Sequence, residues 1–198
     1  MISKLIRRTH MYLALFLTPW MLMYALSTMA MNHRDFFRKR YGGTPVVFEK
    51  EREQLYSGTF PADAKPRAMA EQILSDLGMD GTHNVNAPPG GQRITIVRQD
   101  PITPRRITYT PAGRKLVIER EVFRTPAFLE RLHRRRGFQH NYPLEDTWAF
   151  SVDLVIAAMV FWVASGLWMW WELQVTRGWG ALCAAAGIGL FGFFLLTI

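Results

Sequence analysis

Three long apolar stretches, gathered at the two ends of the chain, constrain its fold more than any other feature. They run from Met11 to Met31, from about Trp148 to Trp171, and from Trp179 to Ile198. Each reaches the roughly 20 residues that a helix rising about 1.5 Å per residue needs to cross a hydrocarbon layer about 30 Å thick. The expected organisation is a short N-terminus (1–10), a first transmembrane helix (11–31), an extramembrane domain (32–147), a second helix (148–171), a short turn (172–178) and a third helix (179–198). The middle segment is long enough for one small water-exposed domain.

Charge follows the same division. The chain carries 24 Lys and Arg against 16 Asp and Glu, a net +8, and nearly all the basic residues lie in the middle segment. A basic domain tethered between spans meets phospholipid headgroups first, so membrane lipids are the expected partner. No nucleic-acid motif accompanies the charge, so nucleic acid is not expected. The runs Arg38-Lys39-Arg40 and Arg134-Arg135-Arg136 read as two basic collars against headgroups. The single cysteine, Cys183, lies in the third span and leaves no intrachain disulfide to form.

The first apolar run, at about 21 residues, exceeds the apolar region of a signal peptide and is expected to stay as an anchor. The short basic N-terminus, with Lys4, Arg7 and Arg8, favours a cytoplasmic start and an exported, periplasmic middle domain in a bacterial inner membrane. Arginines flanking the middle domain argue the other way, but long loops translocate largely regardless of charge.

The middle domain reads as a small α+β unit. Ala68, Met69, Ile73, Leu74 and Leu77 mark one helical face, with Pro66 suited to the first turn and Gly78 to the stop. A turn-rich Asn86 to Gly91 leads to three β-branched runs at 93–97, 106–110 and 115–119, predicting an antiparallel meander with one face on the helix. Thr125 as a cap and Pro126 in the first turn start a further helix that ends near Gly137. The segment has no Gly-x-Ser-x-Gly, His-Glu-x-x-His, Walker loop or Cys-x-x-Cys, and Glu145, Asp146, His133 and His140 match no standard metal spacing.

A helix and a three-stranded meander bracketed by membrane helices resemble the PepSY-associated transmembrane family. Arg8-Thr9-His10 at the first span resembles that family's basic residue and His before its first membrane helix. Leu132-His133-Arg134 before the second span, and Ser165-Gly166-Leu167-Trp168-Met169-Trp170-Trp171 at that span's end, are similar to further family blocks. Some members are haem-dependent ferric reductases, so the resemblance implies His10, His33, His133 and His140 as candidate haem b ligands. His10 and His33 lie 23 residues apart, about 35 Å along a helix, and cannot share one haem. His33 and His140 form the best pair. The chain has three spans where the reductase-like members have four, and no further His-bearing helix follows the third.

Asp153, in the first turns of the second span, requires a partner, and Arg34 or His33 at the end of the first span is the expected one. Ala181, Ala185 and Gly189 repeat at steps of four and would let another helix approach the third span closely. Pro19 should bend the first span, with Thr18 or Tyr24 near the freed carbonyl. Trp168, Trp170, Trp171 and Trp179 suit the membrane interface. The expected function is a non-catalytic accessory or scaffolding subunit of a larger membrane complex, an electron-transfer or photosynthetic one, in contact with other membrane subunits. The alternative is a haem-dependent iron reductase or cytochrome b-like protein. A third reading, the family's namesake idea, is a peptide-binding or peptidase-inhibiting domain at the membrane.

Overall fold

Helix α1 (Ile2–Asn32) runs 31 residues without a break, about 46 Å of helix, because mostly apolar side chains follow its basic first turns. The structure, a computed structural model, describes every residue except 1, 44, 45, 62, 89–91, 136 and 139–141. After α1 come α2 (Arg34–Arg40), β1 (Phe48–Leu55), α3 (Pro66–Asp76), β2 (His83–Asn86), β3 (Ile94–Arg98), β4 (Arg105–Thr110), β5 (Lys115–Glu121), α4 (Thr125–Arg134), α5 (Pro143–Glu172) and α6 (Arg177–Thr197). Helices α1, α5 and the segment Gln174–Thr197 are long and apolar enough to cross a membrane, so this is a mixed helix and antiparallel-sheet membrane protein.

The chain divides into two compact units, one of residues 1–21 and 151–198, the other of residues 22–150. In the first, Leu17 packs with Val155 and Ala158, joined by Leu13, Trp20, Met159 and Trp162. The α1 helix continues through Pro19, and the Thr18 hydroxyl donates to the Ala14 carbonyl at 2.8 Å.

The second unit contains a five-stranded antiparallel sheet in the order β1-β5-β4-β3-β2. The expected three-stranded meander is its centre, and two edge strands are added. Strand β1 lacks apolar alternation because it is an edge with most side chains in solvent, held instead by ion pairs such as Glu51–Arg105 at 2.8 Å and Glu53–Lys115 at 2.7 Å. Strand β2 is a four-residue edge beside β3. One sheet face carries Ile94, Ile96, Ile107, Tyr109, Leu116 and Ile118, and α3 covers it with Ala70, Ile73 and Leu74. Ala70 takes the core position and Ala68 is exposed, which corrects the expected helical face by a small rotation. Pro66 opens α3, and Gly78 follows it at φ +63°, a left-handed conformation that glycine adopts without strain. Thr125 is the first residue of α4 rather than its cap, a position held by Arg124.

On the opposite sheet face, Arg106 of β4 makes a two-pronged bond to Glu119 of β5 at 2.7 and 3.0 Å, and its guanidinium lies 4.2 Å from the Phe48 ring centre. The Arg106 hydrogen bond holds the Glu119 carboxyl below its ordinary value, against a smaller opposing effect of burial. Between β3 and β4, Asp100 accepts the backbone N–H of Ile102 and Thr103, both at 3.0 Å, and the guanidinium of Arg98.

Candidate functional site

Two histidines, His10 on α1 and His133 packed against α1, are each oriented by a serine. In the 22–150 unit, His133 in the last turn of α4 places Nδ1 2.7 Å from the Oγ of Ser27, which is fully buried on α1. Its ring meets Tyr24 edge-on at 5.0 Å. The Ser27 hydroxyl donates its one hydrogen to the Tyr24 carbonyl at 2.9 Å. Oγ must therefore accept from His133, which fixes the Nδ1–H form and leaves Nε2 of the neutral ring with its lone pair.

In the other unit the same logic recurs. His10 Nδ1 lies 2.9 Å from the Oγ of Ser165, and that hydroxyl donates to the Trp162 carbonyl at 2.9 Å. His10 stacks on the Trp162 ring at 5.4 Å. Gly166 follows Ser165 on α5, and a Cβ there would stand 3.4 Å from His10 Cε1, so a small residue lets the ring lie against the helix. Serine three residues after a carbonyl that accepts its proton is thus the signal common to both sites. The sequence singled out the histidines, and named Ser165 and Tyr24 in other connections, but did not pair Ser27, Ser165 or Tyr24 with a histidine, because neither serine stands out until the helices are placed.

The remaining candidates have other surroundings. His33 is the residue between α1 and α2, exposed and capping α2 without a side-chain bond. His140 lies outside the described residues. Among the described residues no group of three or more His, Cys, Asp or Glu side chains is arranged to hold a metal ion. Arg34 binds Glu130 of α4 at 2.8 Å, and Asp153, its expected partner, belongs to the other unit. Asp153 is exposed on α5 and forms no ion pair among the described residues of its own unit. Ala181, Ala185 and Gly189 are exposed on α6, and a Cβ added at Gly189 would meet nothing within 4 Å. Trp168 donates to Glu172 at 3.1 Å, and Arg177 lies over the Trp171 ring at 4.8 Å, so the aromatic cluster organises the α5–α6 turn.

Scans against protein-family models, curated proteins and solved structures found no match to this chain.

Proposed function

We propose that the protein is a non-catalytic accessory subunit of a larger complex in a bacterial inner membrane, with a PepSY-like domain exported to the periplasm and an electron-transfer or photosynthetic assembly as its setting. The observation that carries this reading is α6. Across the most apolar window of Gln174–Thr197 no residue is buried by the chain itself, and the step of small residues Ala181, Ala185 and Gly189 lies open. Small residues let a neighbouring helix approach to backbone contact, and dispersion then holds the pair. The exposed carboxylate of Asp153, costly in lipid when unpaired, adds a second group suited to a partner subunit. The test is native electrophoresis of the full chain extracted from its own membrane in mild detergent. A band well above the single-chain mass, lost on Ala185→Leu while the protein stays folded, supports the reading. Migration as a single chain with no effect of the substitution rejects it.

A second reading, a haem-bearing cytochrome or iron reductase, is favoured by the histidine geometry. An Nδ1–H held by a serine leaves Nε2 able to ligate iron, the arrangement in which an outer hydrogen bond tunes a metal-bound imidazole. Absorption of the purified chain separates the two: a Soret band lost on His10→Ala or His133→Ala supports the cytochrome, and a colourless protein that retains its partners supports the accessory subunit.

A further inference from the structure

Within the 22–150 unit, a cavity of about 700 Å³ opens where the end of α1 and helix α2 meet α4 and the β3–β4 connection. Its volume lies in the range of sites that hold one organic molecule. Seven arginines and two glutamates line it. Three of these arginines engage the two glutamates. Arg131 takes both oxygens of Glu121 at 2.9 Å, whereas Arg34 and Arg134 share a single oxygen of Glu130 at 2.8 and 3.2 Å. Arg98 pairs with Asp100 at 3.0 Å. Among the described residues Arg38 reaches the Gly43 carbonyl at 3.3 Å, and Arg135 lies 5.5 Å from the centre of the Trp148 ring. Neither contact neutralises charge, and guanidinium stays protonated at any physiological pH.

Most of the remaining wall is apolar. Ala30 in the last turns of α1, Phe37 of α2, Val97 of β3 and Leu132 of α4 contribute to it. Asn32 ends a helix long enough to cross the bilayer, so this end of α1 stands at headgroup level. Exposed Phe36, beside Phe37 on α2, gives that helix an apolar contact at the same level. A cavity lined by cationic forks and apolar side chains, beside the end of a membrane-length helix, matches a phosphate-bearing amphiphile.

We propose that this cavity binds one anionic phospholipid, its phosphate held by Arg38 and Arg135 and the start of its acyl chains laid along Ala30, Phe37 and Leu132. The proposal uses neither the α6 surface nor a histidine as a ligand, so it stands whether or not the protein is an accessory subunit.

Isothermal titration of the full chain in dodecyl maltoside tests it with three probes: dihexanoyl phosphatidylglycerol, dihexanoyl phosphatidylcholine and inorganic phosphate. The expected result is one phosphatidylglycerol per chain, bound about tenfold tighter than either other probe. Arg38→Gln and Arg135→Gln should each weaken it about fivefold, while Arg67→Gln on α3, outside the cavity, leaves it unchanged. Equal binding of phosphatidylcholine, or an equal loss on Arg67→Gln, would show only a basic surface and overturn the site. Inorganic phosphate binding as tightly as phosphatidylglycerol would make a soluble phosphate the ligand and reject the lipid.

Discussion

His133 Nδ1 donates to Ser27 Oγ across 2.7 Å, and this single hydrogen bond ties the C-terminal turn of α4 to a fully buried position on α1. Ser27→Ala removes the acceptor and leaves a part-buried N–H unpaired, at a cost of about 1–3 kcal/mol. Ser27→Thr, which keeps the hydroxyl, should recover most of that. Thermal melts of the full chain in detergent, followed by near-UV circular dichroism, give the comparison. Equal melts for alanine and wild type would remove the tie from the account.

Glu121 is 6 % exposed and both its oxygens are held by Arg131. Arg131→Met strands a buried carboxylate and should destabilise the sheet unit by about 3–5 kcal/mol. Adding Glu121→Gln to that variant should restore a large part of the loss, because the charge that lacked a partner is gone. Denaturant titration of the two variants decides it, and a double variant no better than the single one contradicts the buried-charge argument.

The pH response of the sheet unit has two limbs. Hydrogen bonds from Arg105 and Arg106 lower the pKa of Glu51 and Glu119 below 4.5. Their stabilisation is complete above that ordinary value and is lost as pH falls through the lower folded one. At the other end, burial first and then the 2.5 Å hydrogen bond to Asp76 push the Tyr56 pKa up to about 12. A raised phenol contributes below pH 10 and loses that contribution as pH rises towards 12. Stability measured from pH 3 to 12 should fall at both ends, and Tyr56→Phe should flatten the alkaline limb alone. An unchanged alkaline slope in that variant would separate Tyr56 from the effect.

Ile107 is fully buried at the centre of the sheet, beneath α3. Ile107→Ala should cost about 2–5 kcal/mol, and Ile107→Val about 0.5–1.5 kcal/mol. Hydrogen exchange at β3, β4 and β5 amides reports both, and a loss confined to β1 would place the core elsewhere.

The central strands were legible because their core positions alternate: Ile94 with Ile96, Ile107 with Tyr109, Leu116 with Ile118. Alternation reports a face, so it is silent where a strand has none to bury. Strand β1, Phe-Glu-Lys-Glu-Arg-Glu-Gln-Leu, is such a case, recognisable only through the charges it meets on β4 and β5. Helix α2 was hidden for a related reason, since Arg34–Arg40 reads equally as a charge run. Histidines announce themselves by residue type. Their serines do not, because a hydroxyl becomes specific only when a second helix supplies the ring. Arg34 and Asp153 were matched by sign and depth along the chain, whereas Glu130, which Arg34 binds, lies on a helix whose placement depends on the whole sheet.

Strand β1 is made early and finished late. Phe48 pairs with Glu121 and Leu55 with Lys115, so β1 emerges from the ribosome on the order of seconds before its partner exists. During that interval its backbone donors and acceptors are available to any neighbouring extended chain. A stretch of alternating glutamates and basic residues is poorly suited to such pairing, which makes the charge of β1 a safeguard of the nascent polypeptide as well as an edge of the finished sheet.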